Sequence, residues 1–229
     1  MAGAAATPTS KRDPVIIAGM NAAELREAVE ADKETALNRL GSSKLLIALT
    51  GADLEERPVL EAAANSEHSA ERTFREWAGD ESHDAARAAF EDVAAQEAEH
   101  YERVAEHLPD EFDPADGGPM HAYLRGRDDA ISRVAGGTVG RPLVSVRTHT
   151  QVIAFFLNEA DEREADLFRD LKAETEAVVD DGMALLDNLC DDADDWERAS
   201  AAAGYVIQVA YDDYADALTE LGVSVKSLC

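Results

Sequence analysis

Apolar side chains recur three and four positions apart along much of this chain, a spacing that places them on one face of an α-helix. In one segment the repeat comprises Phe90, Val93, Glu97, His100, Val104 and His107. A carboxylate and an imidazole three residues apart point to the same side of a helix, and here both fall within the apolar face. A buried carboxylate costs on the order of several kcal/mol unless a cation or hydrogen bonds compensate for it. Glu97 and His100 are therefore candidate metal ligands.

The preceding helical segment carries an acid in the same kind of position. Its apolar face comprises Leu60, Ala63, Glu67, Ala70, Phe74 and Trp77. Two consecutive helices thus direct Glu67 and Glu97 towards the interior, and the second helix adds His100. Two interpretations remain open: a metal ion shared by the three side chains, or partly solvated acids with His100 hydrogen-bonded to one of them.

The periodicity predicts an all-α protein, because no segment shows the alternation of a β-strand. Residues 1–20 lack periodicity and are expected to form a flexible tail, and residues 21–229 are expected to form a single helical domain. Helices are predicted at about 22–49, with a break near Gly41, and at about 58–78, 82–108, 121–134, 144–172, 173–190 and 196–221.

The order of these helices indicates a bundle with one long connection. A helical hairpin at about 58–108 is followed by a crossover at about 109–143 and a second half at about 144–222. The crossover contains Gly136, Gly137 and Gly140, and we expect a flexible link there. A four-helix bundle with one crossover has this connectivity, although an added helical subdomain would explain the long link equally well.

The charge of the chain excludes several classes of partner. Asp and Glu number 48 against 21 Lys and Arg, which gives a net charge of −27. This field repels nucleic acid, and no basic stripe offsets it. The acids are spread along every segment and Arg outnumbers Lys, a composition typical of halophiles that accumulate salt. Most individual acids therefore carry no functional signal.

Membrane and secretion signals are not found in the sequence. The longest apolar runs are far shorter than the ~20 residues of a membrane helix, and residues 1–14 lack the apolar segment of a signal peptide. We therefore expect a cytoplasmic protein with no membrane partner. Cys190 and Cys229 form no Cys-x-x-Cys motif, so no rubredoxin-type or zinc-ribbon site is predicted.

Two motifs resemble the first half of rubrerythrins and their ferritin-like relatives. They are Ala64-Asn-Ser-Glu67-His-Ser-Ala-Glu-Arg-Thr-Phe74 and Glu97-Ala-Glu-His100-Tyr-Glu-Arg-Val104, and the similarity covers about residues 60–108. The resemblance implies a ferritin-like four-helix bundle, here with additional N-terminal and C-terminal-half helices. It also implies that Glu67, Glu97 and His100 are metal ligands.

The second half matches the family less completely. Glu159-Ala-Asp-Glu162 is similar to the family's Glu-x-x-Glu on its third helix, which implies Glu159 and Glu162 as further ligands. The last helix lacks the second Glu-x-x-His, and Tyr214 stands near its expected position as a site-lining residue. His149 lies near the middle of the preceding apolar face, where it could be a substitute ligand or an imidazole at the edge of the core.

The resemblance implies iron, mononuclear or dinuclear, or else manganese, in a homodimer that reduces peroxide or dioxygen. If two irons bind, Glu97 and His100 would hold one of them. Glu67 and Glu159 would flank the two irons or bridge them, and Glu162 would complete the coordination of the second iron. Because the second Glu-x-x-His is missing, the motifs are also consistent with a single metal ion.

Two other functions remain open. The chain could be a non-catalytic binding or regulatory module whose acids are neutralised by one another or by Arg72, Arg75 or Arg163. It could also carry a hydrophobic ligand in a cavity of the bundle.

Overall fold

The computed structural model describes residues 21–115 and 117–225, and within them all the regular secondary structure is helical. The helices are α1 (Ala22–Asp32), α2 (Glu34–Leu40), α3 (Lys44–Leu49), α4 (Glu56–Asp80), α5 (Asp84–Ala105), α6 (Pro119–Arg125), α7 (Ala130–Val134), α8 (Arg141–Asn158), α9 (Glu162–Leu189) and α10 (Ala193–Glu220), with a π-helical segment at Ala135–Gly140 between α7 and α8. The all-α prediction is confirmed for this part of the chain. The predicted tail at 1–20 and Cys229 lie outside the described residues.

Helices α4 and α5 form the predicted hairpin and pack along each other. Their apolar faces are buried as the periodicity indicated, with Phe74, Trp77 and Phe90 in mutual ring contact at one end. The turn is short because the side chain of His83 caps α5, with Nδ1 accepting a hydrogen bond from the backbone N–H of Ala86 at 3.3 Å. The hairpin provides two of the elements that carry the candidate ligands.

The second hairpin differs from the prediction and is formed by α8 and α9. The chain turns at residues 159–161, where Ala160 has φ = +60° and Asp161 caps α9 by accepting from the backbone N–H of Glu164. The prediction of one helix over residues 144–172 is therefore wrong, because the observed helix α8 ends at Asn158. The boundary expected near residue 172 lies inside α9, which runs without interruption to Leu189.

This turn changes which helix faces the α4–α5 hairpin. Helix α9 contacts α5 and helix α8 contacts α4, so α4, α5, α8 and α9 form a helical bundle. Helix α10 packs mainly against the π-helical segment, α1–α3, α6 and α7, and it also contacts α8. The apolar face of α10 carries no candidate metal ligand, and it packs against these elements and not against the α4–α5 hairpin.

The glycine-rich segment predicted as a flexible link is buried helix. Residues 135–140 are all buried, so the crossover predicted at about 109–143 ends near residue 129. A Cβ atom on Gly137 would lie 2.7 Å from the Trp77 ring, and one on Gly140 would lie 2.6 Å from the carbonyl oxygen of Ala203. The glycines therefore permit close packing between helices.

The N-terminal helices cover one side of the bundle. The predicted break near Gly41 is confirmed by the gap between α2 and α3, and a second break lies at Lys33. Within residues 21–115 and 117–225, no helix combines the length and apolar character that a bilayer crossing requires. The homodimer stays a prediction.

Candidate metal centre

Glu67, Glu97 and His100 meet inside the bundle. Their exposed fractions are 2%, 0% and 0%, and one potential ligand atom from each lies within 4.8 Å of those of the other two. Glu67 comes from α4, and Glu97 and His100 come from adjacent turns of α5. The structure therefore brings together the three residues that the two apolar faces predicted, and the group could hold a metal ion.

A buried arginine contacts this group. Arg141, in the first turn of α8, forms an ion pair with Glu97 Oε1 through Nη2, and its side chain is 1% exposed. The guanidinium group also lies 5.5 Å from the centre of the Phe74 ring and donates a 3.5 Å hydrogen bond to Ser145 Oγ. Arg141 could not be selected from the sequence, because it directly follows the glycines that predicted a flexible link.

His149 contacts the group from the same helix. Its Nε2 lies 3.0 Å from Glu67 Oε1, and both side chains are buried. The imidazole ring also packs near Phe168 of α9, with 6.1 Å between ring centres. His149, considered as a substitute ligand or as an imidazole at the edge of the core, lies two turns of helix beyond Arg141 and contacts Glu67.

Glu174 of α9 approaches His100 from the outer side. Glu174 Oε2 lies 2.6 Å from His100 Nε2, and both carboxylate oxygens accept hydrogen bonds from Arg103 at 3.1 Å. A carboxylate in this position fixes the orientation and tautomer of a metal-binding imidazole. Glu174 could not be selected from the sequence, since it is one of 48 acidic residues and its helix was assigned different bounds.

The two buried carboxyl groups have pKa values displaced in opposite directions. Burial raises the pKa of Glu97, Arg141 lowers it, and neighbouring Glu67 raises it again, so that it stands well above its usual value. Burial also raises the pKa of Glu67, but the hydrogen bond and charge of His149 outweigh this and leave it well below its usual value. One of the two carboxyl groups thus holds its proton more tightly than the other.

His100 favours its neutral form. Burial lowers its pKa, and the opposing effects of Glu67 and Glu174 only partly offset this. Neutral imidazole is the form that binds metal ions.

Several polar atoms in the cluster have no hydrogen-bond partner among the described residues. They are Glu97 Oε2, His100 Nδ1, His149 Nδ1 and Arg141 Nε. A buried polar atom without a partner costs about 1–3 kcal/mol, and native structures contain few of them. A carboxylate oxygen and two imidazole nitrogens in one buried group are the donor types that iron and manganese accept. The unpaired atoms are therefore consistent with a bound cation.

The other predicted ligands are not part of this cluster. Glu159 lies exposed in the turn after α8, and Glu162 is exposed at the start of α9, where it pairs with Arg169 at 3.6 Å. The turn places the Glu-x-x-Glu motif at a helix junction, where neither acid faces the bundle. The buried acid there is Glu164, which pairs with His107 at 2.8 Å.

Tyr214, predicted to line the site, is buried in the wall of a separate pocket. Its hydroxyl oxygen lies 3.4 Å from Ser42 Oγ. Arg72 and Arg75, which were considered as partners of the buried acids, pair instead with Glu76 and Glu71 along their own helix. Arg163 is exposed.

Comparisons with protein-family models, curated proteins and solved structures find no match to this chain. The relationship to ferritin-like proteins therefore stays a prediction, supported by the sequence motifs and by the buried cluster.

Proposed function

We propose that this protein binds one iron or manganese ion through Glu67, Glu97 and His100. The approach of Glu67, Glu97 and His100 to within 4.8 Å of one another in a fully buried group, with His100 Nδ1 unpaired, supports this proposal most directly. Iron and manganese bind carboxylate oxygen and imidazole nitrogen together. His149 holds Glu67 through Nε2 and is not one of the three grouped ligands.

The charges favour one ion over two. With both carboxyl groups ionised, Glu67 and Glu97 carry two negative charges, and Arg141 contributes one positive charge at the same place. One divalent cation would leave the group with a single net positive charge, whereas a second would leave three. Uncompensated charge in a protein interior is costly. Glu159 and Glu162 lie outside the cluster, so the residues expected to complete a second metal site are missing, which also favours one ion.

The reaction we propose is reduction of peroxide or dioxygen coupled to iron oxidation, as the rubrerythrin-like motifs imply. A ferrous ion gives up one electron on oxidation, and hydrogen peroxide takes up two electrons and two protons to become two waters, so two bound ferrous ions would be oxidised for each peroxide reduced. The chain's own residues prepare the site: Glu174 orients His100, Arg141 holds Glu97 in place, and His149 holds Glu67. The surrounding apolar residues exclude bulk water.

Metal titration tests the first step of this proposal. Purified protein in molar KCl, stripped with a chelator and titrated with Mn²⁺, should bind about one tightly held ion per chain, read by electron paramagnetic resonance of the free ion. Glu67→Gln and His100→Ala should each abolish this binding. Glu99→Gln is the matched control, because Glu99 lies beside His100 on α5 but its side chain is 70% exposed.

Iron loading tests the second step. Anaerobic protein loaded with Fe²⁺ should consume hydrogen peroxide as the iron oxidises, and His100→Ala should fall to the rate of free iron. If the wild type binds metal no more tightly than His100→Ala does, the proposed metal site is excluded. If the metal binds but peroxide and dioxygen are not consumed faster than by free iron, the oxidoreductase assignment fails.

One observation favours a second candidate, a non-catalytic helical module. Arg141 and His149 already pair with the two buried acids, so the cluster has partial charge compensation without a metal. In that case chelation would leave the unfolding midpoint unchanged, and the midpoints of His100→Ala and wild type would respond equally to added Mn²⁺.

A further inference from the structure

A pocket of about 260 Å³ lies beside the candidate metal centre, between α3, α4, α6, α8 and α10. Its wall is mainly apolar, with side chains that include Leu45, Ala62, Met120, Val144 and Ala210. Its polar groups include Ser69, His121, Ser145, Asp213 and Tyr214. An apolar pocket with a few polar groups is the usual form of a small-molecule site.

The buried polar groups of the pocket lack partners. His121 is 4% exposed, and neither of its ring nitrogens has a hydrogen-bond partner among the described residues. The hydroxyl oxygen of Ser69, which is 1% exposed, has none either. Unpaired buried donors and acceptors are costly, so a ligand that hydrogen-bonds to them would gain affinity.

The pocket reaches the metal centre through one residue. Ser145 lines the pocket and accepts a hydrogen bond from Arg141, which pairs with Glu97. The polar end of a molecule in the pocket would therefore lie one side chain from the buried ion pair.

We propose that this pocket binds a neutral molecule with an apolar body and one hydroxyl or carbonyl end, which hydrogen-bonds to His121 and Ser69. This site does not require the metal, and it goes beyond the function proposed above.

The lining favours a neutral ligand over an anionic one. Among the described residues that line the pocket, none is Lys or Arg, and Asp213 adds a negative group to the wall. Burial and the charges of Arg141 and Arg125 lower the pKa of His121 to about 3, so its imidazole is neutral near pH 7. A neutral imidazole offers one donor and one acceptor, which suits a hydroxyl or carbonyl group. A carboxylate would find no Lys or Arg in the pocket wall to pair with, and Arg141 already pairs with Glu97, so we expect it to bind more weakly than a neutral group.

The volume sets the size of the ligand. A dry cavity of about 150 Å³ holds benzene. The pocket of about 260 Å³ therefore has room for roughly ten non-hydrogen atoms, as in a medium-chain alcohol.

Binding of 1-octanol and octanoate to the metal-free protein in molar KCl tests the proposal, by isothermal titration calorimetry. We expect a dissociation constant for octanol below about 1 mM and binding of octanoate at least about tenfold weaker. Ala210→Leu and Ala62→Leu, which fill the pocket from α10 and α4, should each weaken octanol binding about tenfold or more.

Ala201→Leu is the matched control, since Ala201 is exposed on α10 and does not line the pocket. It should bind octanol as the wild type does. The proposal is overturned if octanol does not bind, if octanoate binds as tightly as octanol, or if both filled variants bind octanol like Ala201→Leu. Because no metal is present, these results are independent of the metal titration.

Discussion

Arg141 forms an ion pair with Glu97 in the interior of the bundle, across 44 positions of sequence. The guanidinium group reaches the carboxylate from the first turn of α8, which directly follows the buried π-helical segment at Ala135–Gly140. The placement of this guanidinium group beside Glu97 lowers the pKa of that acid and partly offsets the effect of burial. It compensates one acid, and it leaves Glu97 Oε2 unpaired.

Removing the guanidinium group should destabilise the protein. Arg141→Met removes the partner of Glu97, whose pKa already stands well above its usual value, so Glu97 should take up a proton. The buried carboxyl group then lacks its hydrogen-bond donor, and we expect a loss of about 1–3 kcal/mol in the free energy of unfolding of the metal-free protein. Urea unfolding in molar KCl measures it. The double variant Arg141→Met/Glu97→Gln should recover part of the loss, because the amide removes the buried titratable group. Equal stability of Arg141→Met and wild type would show that the ion pair contributes nothing.

Glu174 should control metal affinity without being a ligand. Glu174→Gln weakens the group that orients His100, and losing such a partner usually costs about 10–100-fold in affinity. Mn²⁺ titration measures this effect. Asp170→Asn is the control, because Asp170 also faces Arg103, at 3.8 Å, and its side chain is 73% exposed. If the two variants bind Mn²⁺ equally well, Glu174 has no role in positioning the imidazole.

His121 should make stability depend on pH. Burial, Arg141 and Arg125 lower its pKa to about 3 in the folded chain, whereas an unfolded histidine titrates near about 6.5. Between these values the unfolded chain binds a proton that the folded chain does not. The stabilising contribution is therefore complete above about pH 6.5 and is lost as the pH falls towards 3.

The measurement compares the slope of unfolding free energy against pH in wild type and His121→Gln. Between pH 6 and pH 5 the wild type should lose up to about 1.4 kcal/mol per pH unit more than the variant. Parallel slopes for wild type and His121→Gln would contradict the assigned neutral imidazole.

The buried glycines should not tolerate a methyl group. In Gly140→Ala the new Cβ would lie 2.6 Å from the backbone oxygen of Ala203, so the two helices must separate. We expect a loss of about 1–3 kcal/mol in unfolding free energy, the usual cost of overpacking. Gly79→Ala is the control, because nothing lies within 4 Å of its Cβ position in α4. It should leave stability unchanged or raise it by about 0.4–1 kcal/mol.

Local periodicity was sufficient to find half of the candidate site. Glu67, Glu97 and His100 interrupt two apolar faces at positions that must be buried, and a helix keeps residues three and four apart on the same side. The all-α class and the α4–α5 hairpin follow from the same pattern. These features depend on neighbours in sequence, so the sequence determines them.

Tertiary packing decided the other half. The turn at Ala160 made α9, and not α10, the fourth helix of the bundle, so it exposed Glu159 and Glu162 and brought Glu174 to His100. In the sequence, the glycines near residue 137 are equally consistent with a flexible link and with tight packing. The Trp77 ring, which lies directly against Gly137, shows that they pack tightly. Arg141 and His149 reach the acids through that packing. Contacts between residues far apart in sequence depend on how helices dock, and single-helix periodicity carries no information about docking.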